Sequence, residues 1–359
     1  MLITELQSLG LRLADPSAGV EGRRGGAGPS DHKAVTVDGR TVMVPVHNDP
    51  ARVSPYRAAA PDERGISTLS RDGIAVGEIR FPRQPRFYRL QTFDGVPYSK
   101  IAVLHGADVL ATTVLQTCIR YAARETSCQF CAIGQSLAAG RTIARKTPEQ
   151  LAEVARAAVL LDGVRHMVLT TGTPNNRDRG AALLCESAFA IKAAVPDLPI
   201  QGQCEPPDDP VWFRRLRASG IDALGMHLEA VTAETRARIM PGKAKVSLAR
   251  YLDAFAAAVP VFGRGQVSTY ILAGLGDPPE AILEMCRRLI AIGVYPFVVP
   301  FVPIAGTPLE AHPAPDPAFM RALLAPLGAL LAASGLRSAD IKAGCGRCGA
   351  CSSLAGYER

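Results

Sequence analysis

Val109-Leu110-Ala111-Thr112-Thr113-Val114-Leu115-Gln116-Thr117-Cys118 is followed, after a nine-residue loop, by Cys128-Gln129-Phe130-Cys131. The first stretch is an apolar, β-branched run that ends on a cysteine, and two more cysteines sit on the loop beyond it. This places three thiols at the C-terminal end of a strand. In a barrel of parallel strands that end is the active-site face.

Outward from this stretch, short apolar runs over 109–117, 166–171, 198–203, 223–228, 267–272 and 297–301 alternate with segments of helical period. Parallel α/β structure requires that alternation. Thr147-Pro148-Glu149-Gln150 reads as a helix start with an N-cap, an N1 proline and a capping-box glutamine, and Gly163 as its stop. Ser247 is placed to cap a helix through Ala258, and Pro278 and Pro279 to open one that stops at Gly293. Six strand–helix units predict an α/β fold, a partial (β/α)6 TIM-type barrel over 106–335, two units short of a complete one. Residues 1–105 form a small N-terminal β-containing region, rich in Gly, Pro and Arg. Its one clear hairpin joins 34–37 to 40–46 through Asp38-Gly39. The polar, mostly cationic loop over 23–33 reads as an exposed linker or as a lid over a substrate site. Residues 336–359 are a Cys-rich tail.

Of the 359 residues, 48% are apolar, yet no unbroken run reaches the roughly 18 needed for a membrane span. The first residues carry Glu5 and Asp15 and lack a basic region followed by an apolar stretch, so no secretory signal is expected. The expectation is a cytoplasmic protein with no membrane partner. Net charge is +7, but Lys and Arg are scattered, so a small-molecule substrate is expected over nucleic acid. Six of the nine cysteines fall into two tight triplets, which in a reducing compartment points to metal; Cys185 and Cys286 read as buried core thiols and Cys204 is ambiguous.

Three thiolates on an iron–sulfur cubane leave one iron without a protein ligand, open to a substrate or cofactor. Structural zinc takes four ligands, and no fourth Cys or His stands near Cys118, Cys128 and Cys131 in sequence. A zinc site and inert cysteines are the competing readings. With these residues the chain resembles the radical SAM superfamily, in the branch around biotin synthase and lipoyl synthase. The resemblance implies a [4Fe-4S] cluster on Cys118, Cys128 and Cys131, with S-adenosylmethionine (SAM) on the free iron and Phe130 as the aromatic residue before the last cysteine. The family spacing is C-x3-C-x2-C; here Arg124 stands at the first position and the first ligand moves to Cys118.

Five further strand ends carry the resemblance in order: Thr171-Gly172-Thr173, Gln203-Cys204-Glu205, His227-Leu228-Glu229, Gly274 with its neighbours, and 300–309. By resemblance these imply SAM contacts at Thr171, Gly172, Thr173, Gln203, Glu205, Glu229 and Gly274. Arg236 and Arg238 follow where an arginine pairs with the SAM carboxylate. Taken one at a time, each also reads as a turn or cap. Along the whole chain, the 23–28 loop and the 345–351 tail are similar to a bacterial radical SAM group encoded beside a nitrilase. The resemblance implies reductive SAM cleavage to a 5'-deoxyadenosyl radical, hydrogen abstraction from a small molecule, and an electron donor such as flavodoxin or ferredoxin. Cys345, Cys348 and Cys351, among Gly344, Gly346 and Gly349, are expected to fold back to the barrel mouth and hold a second [4Fe-4S] cluster, with zinc or a redox thiol set as alternatives. A fourth ligand such as His32 or Cys204 would close a zinc shell. Two other readings remain: a non-catalytic iron–sulfur or zinc protein, and a radical enzyme that modifies nucleic acid.

Overall fold

The computed structural model describes residues 2–14 and 32–358, so the possible lid over 23–33 lies outside the described residues except at its last two positions. Two sheets carry the fold. The first comprises β1 (Arg12–Leu13), β2 (His32–Val37), β3 (Arg40–Pro45), β4 (Tyr56–Ala58), β5 (Ile66–Arg71) and β6 (Ile74–Arg80), in the order β1-β4-β5-β6-β2-β3. The expected Asp38-Gly39 hairpin is present, and both turn residues have positive φ, 48° and 75°. A second hairpin turns at Asp72-Gly73 with φ of 49° and 86°. Aspartate and glycine are the pair that tolerates such a turn. The helix Leu2–Leu9 packs Leu6 against Val35, Val44, Leu69 and Ile79 to form a small core of its own. This region holds more order than its Gly-, Pro- and Arg-rich composition predicts.

The second sheet comprises β7 (Val103–His105), β8 (Val109–Thr113), β9 (His166–Thr170), β10 (Ile200–Gln203), β11 (Ala223–Gly225), β12 (Val267–Ala273) and β13 (Val294–Pro300). Its order is β13-β12-β11-β10-β9-β8-β7. From β8 to β13 every pairing is parallel, and β7 adds an antiparallel edge. Six parallel strands in chain order with helices between them and, among the described residues, no pairing between β13 and β8 make the partial (β/α)6 barrel that the alternation predicts. The helix Pro148–Asp162 has the Thr147–Gln150 capping box and ends on Gly163 at φ 66°. Ser247 caps Leu248–Phe262, which runs four residues past the expected end at Ala258.

Two strands depart from expectation. β13 starts at Val294, three residues early, because it is an edge strand and tolerates Pro296 within it. β11 stops at Gly225, and the chain rejoins β12 only through a bridge between Glu229 and Ile271. The helix Pro317–Ser334 is apolar and long enough to cross a membrane by composition alone. It buries Met320, Leu323, Leu324, Leu327 and Leu331 in the main core, and it packs on Pro279–Ala291.

Candidate active site

The loop bearing the first cysteine triplet is bound to the barrel by its backbone. The Gly172 amide donates to Leu115 O at 2.9 Å and the Ile119 amide to Thr173 O at 2.9 Å, so the end of β9 carries the Cys118 segment. Gly172 is required there: a Cβ on it would lie 2.0 Å from the Thr117 carbonyl oxygen. Further along, Gln129 N–H donates to Ile239 O at 2.8 Å and Gly242 N–H to Thr126 O at 3.1 Å. The result brings Cys118, Cys128 and Cys131 to one cavity of about 320 Å³ at the C-terminal ends of β8 to β11. Phe130, Thr171, Gly172, Thr173, Gln203, Cys204, Glu205 and Glu229 share its wall, as the strand-end motifs imply.

Two buried ion pairs set the charge of this mouth. Arg120 grips Glu205 in a fork, Nε to Oε1 at 2.9 Å and Nη2 to Oε2 at 2.8 Å, and Thr173 donates to the same carboxylate at 2.7 Å. Burial would raise the Glu205 carboxyl, but its hydrogen bond with Arg120 and the Lys243 charge hold it below its ordinary value. Lys243 Nζ stands 2.9 Å from Glu229 Oε2. Glu229 has φ 64°, a conformation non-glycine residues seldom hold, and it is fixed there by hydrogen bonds with Tyr270 O and Leu272 N–H, both 2.8 Å. Burial pushes the Cys131 thiol up to about 12 and Cys128 well above its usual value, so both are neutral before metal arrives. A metal or cluster bound by these thiols would therefore release protons. His227 is pushed down to about 3 by burial, with the Lys243 charge adding to it, and accepts the Tyr270 amide on Nδ1 at 3.1 Å. It is a neutral imidazole with its proton on Nε2.

A second cavity of about 300 Å³ continues down the barrel axis and shares Phe130, Thr170, Gln203, His227, Glu229 and Ile304 with the mouth. Ala111, Val168, Leu272, Val299 and Phe301 make its apolar wall. Cys345 and Cys351 close its far end. Here the structure corrects an expectation, because the tail does not fold back to the mouth. It enters at the N-terminal ends of the strands, where Gly344 N–H donates to His166 Nδ1 at 3.2 Å and Gln266 exchanges hydrogen bonds with Asp340 and Lys342. The Ser352 hydroxyl donates to Val298 O at 2.7 Å on the free edge of β13, and Ala350 O accepts from Met43 N–H and Gln7 Nε2. The tail thus plugs the bottom and the open side of the barrel. Gln203 Nε2 stands 3.3 Å from Cys345 Sγ, and the Tyr270 hydroxyl bonds Cys345 and Cys351.

Two expected contacts are not brought to the cavity. Arg238 is exposed and donates to Leu275 O at 2.8 Å, because two residues along a helix from the inward-facing Arg236 it points the other way. Arg236 itself is buried, holding Leu228 O at 2.7 Å and Val246 O at 3.0 Å. Gly274, at φ 103°, lies outside both linings; its carbonyl meets His312 Nε2 at 2.8 Å, and it lets Pro315 approach. The cations that do reach the mouth, Arg120 and Lys243, come from the cysteine loop and from the short helix Pro241–Ala244. Nothing in the strand pattern marks them. Cys286 is buried and Cys185 half-buried, away from both triplets, while Cys204 lies in the mouth wall and not beside the tail.

Among the described residues no three His, Cys, Asp or Glu groups converge as around a single ion. Spread thiols suit a cubane, where each cysteine binds a different iron.

A sequence profile described as the Radical SAM superfamily matches residues 125–289, which include Cys128 and Cys131 and begin after Cys118. The bacteriochlorophyllide c C-7(1)-hydroxylase of Chlorobaculum limnaeum is 28% identical over 208 residues, 53% of this chain and 52% of that protein. The chain thus spans about half the length of the curated relative it matches. Among solved structures, a radical SAM methyltransferase from Sphaerobacter thermophilus is similar at 15% identity and a TM-score of 0.48, over 79% of this chain and 75% of that one. Methylornithine synthase is similar at 21% identity and a TM-score of 0.44, over 56% of each chain. The superfamily domain and the cysteine loop at the mouth of a partial barrel belong together: the barrel of this chain carries a radical SAM superfamily domain over residues 125–289.

Proposed function

We propose that the chain reductively cleaves SAM at a [4Fe-4S] cluster held by Cys118, Cys128 and Cys131, and directs the resulting radical at a small molecule in the barrel interior. The supporting observation is the continuity of the two cavities: the thiol-lined mouth opens through Gln203, His227 and Glu229 into an interior walled by apolar strand residues. When bound, the cluster and SAM supply a 5'-deoxyadenosyl radical, which takes a hydrogen atom from an unactivated carbon. The chain's own residues position and shield. Thr171, Gly172 and Thr173 offer backbone groups beside the cysteines, and the Glu229–Lys243 and Glu205–Arg120 pairs give a charged but balanced wall for a zwitterion. His227 Nε2–H is a donor on the substrate side, and Gln203, whose Nε2 hydrogens go to Gln201 Oε1 and Cys345 Sγ, offers its carbonyl oxygen there. The tail, plugging the bottom, keeps water from the interior and is read as the seat of a second [4Fe-4S] cluster. An electron donor such as flavodoxin or ferredoxin is the expected partner.

The test is anaerobic reconstitution with iron and sulfide, then dithionite and SAM. The reading requires 5'-deoxyadenosine from the wild type and none from Cys118→Ala, Cys128→Ala or Cys131→Ala. Formation at the wild-type rate by Cys118→Ala would remove that residue from the ligand set.

A further inference from the structure

The tail cysteines have a neighbour that comes from the far end of the chain. His105 ends β7, and the next residue, Gly106 at φ 62°, leaves room for the tail: a Cβ on it would stand 3.0 Å from Cys348 Sγ. The His105 side chain is buried and lines the interior cavity with Cys345 and Cys351. Its Nε2 lies 3.4 Å from Cys351 Sγ. The tight β7–β8 turn therefore backs Cys348 with its glycine and presents an imidazole to Cys351. Among the described residues, the other side chains that hydrogen-bond the tail thiols are the Gln203 amide and the Tyr270 hydroxyl. Both come to the sulfurs as hydrogen-bond donors, so neither is placed as a good iron ligand. Imidazole is one.

We propose that His105 is the fourth protein ligand of the tail centre, beside Cys345, Cys348 and Cys351. The centre is then coordinatively closed and passes electrons to and from the interior, in place of holding substrate on a free iron. This rests on the reading of the tail as an iron–sulfur site. It divides the work between the two ends of the cavity. At the mouth the nearest imidazole, His227, has Nδ1 engaged by the Tyr270 amide at 3.1 Å, and the triplet keeps an open position for SAM. At the bottom, the fourth position is filled from β7.

The experiment isolates the tail centre in the full chain by replacing Cys118, Cys128 and Cys131 with alanine, followed by anaerobic reconstitution and reduction. About four irons per chain are expected, with a cluster whose pulsed EPR spectrum shows directly bound nitrogen. His105→Ala in this background should abolish the nitrogen coupling, while His32→Gln, on the same cavity wall, should retain it. His105→Cys should keep the iron, lose the nitrogen and lower the midpoint potential, since thiolate in place of imidazole stabilises the oxidised cluster. Nitrogen coupling absent from the parent, or surviving His105→Ala, overturns the ligand assignment while leaving the cluster. A parent that binds no iron overturns the cluster reading and the ligand with it. One zinc per chain in place of iron overturns the electron-transfer role.

Discussion

Replacing Gly172 with alanine should empty the mouth site while leaving the barrel folded. Its backbone lies outside the left-handed region, so alanine adds no torsional strain and the clash acts alone. The new Cβ would stand 2.0 Å from the Thr117 carbonyl oxygen, where real Cβ contacts essentially never fall below 3.0 Å. The difference, 3.0 − 2.0, means the end of β8 or of β9 must yield by about 1 Å, and the obstacle is backbone, which cannot turn aside as a side chain can. Overpacking of this kind costs about 1–3 kcal/mol, which a barrel with a core from Leu110 to Leu331 survives. The Gly172–Leu115 and Ile119–Thr173 hydrogen bonds that carry Cys118 do not survive the shift. Reconstituted Gly172→Ala should then show an unchanged far-UV CD spectrum, iron reduced from about eight to about four per chain, and SAM cleavage at least tenfold slower. Gly134→Ala is the control, because the atoms nearest its Cβ belong to the Tyr121 side chain, the first at 2.8 Å, and not to backbone. Full iron and wild-type SAM cleavage by Gly172→Ala would refute the idea that the end of β9 holds the cluster loop.

Arg120→Met strands the buried Glu205 carboxylate and should cost about 3–5 kcal/mol, read as a lower denaturation midpoint; a change below 1 kcal/mol would show the pair idle. Glu229→Gln should keep the full iron content and weaken SAM binding by calorimetry, and undiminished affinity would exclude Glu229 from that contact. Cys286, fully buried with its thiol pushed up to about 12 by burial, should resist iodoacetamide at pH 8 in the native protein and react only after unfolding, as seen by mass spectrometry. His166 has its pKa pushed down to about 4, burial being the main cause, against 6.5 unfolded. The unfolded state then binds the extra proton, so stability is fully present above pH 6.5 and falls as pH drops toward 4, by about 3 kcal/mol at most. His166→Gln should flatten that part of the pH–stability curve.

The barrel was legible because each of its parts is local. Thr147, Ser247 and Pro279 start helices by local sequence chemistry that needs no partner, and β8, β9 and β13 are short, mostly apolar runs buried along their length. The thiols, Thr171 to Thr173, Gln203, Glu205 and Glu229 reach one cavity because strand ends converge once the barrel closes. Arg238 failed for the opposite reason: strand order fixes where a loop begins, but a helical turn beyond it decides which arginine faces in. Arg120 and Lys243 were out of reach because each is placed by a long-range partner, Glu205 or Glu229, that no periodicity marks. The first sheet was under-read because β5 is mostly polar and β6 is exposed along nearly all its length, so the apolar signal is faint apart from Leu69 and Ile79.

The tail shows how a spacing that suggests a chemistry can leave its place in the fold unmarked. Cys345-Gly346-Arg347-Cys348-Gly349-Ala350-Cys351 carries what a cluster needs, three thiols with glycines between them, and says nothing about which end of the barrel it meets. That is settled by complementary gaps. Gly344 sits where any side chain would overlap Gln201, Gly346 fits against Ile341 and Tyr295, and Gly106 clears Cys348. Gln201, Tyr295 and Gly106 lie in or before the first half of a strand, so the tail seats at the bottom. Its Ala350 carbonyl is then held by β3 and by Gln7 of the first helix, which ties the N-terminal sheet to the plug. A Gln7→Ala, Thr4→Val double variant removes two of the side-chain bonds from that helix to the tail, Gln7 to Ala350 O at 2.9 Å and Thr4 to Ser353 at 2.8 Å. At about 1 kcal/mol each, their loss should speed hydrogen exchange at 344–353 roughly tenfold or more and leave exchange in β9 to β12 unchanged. Equal acceleration in both segments would mean that the plug and the barrel open as one unit.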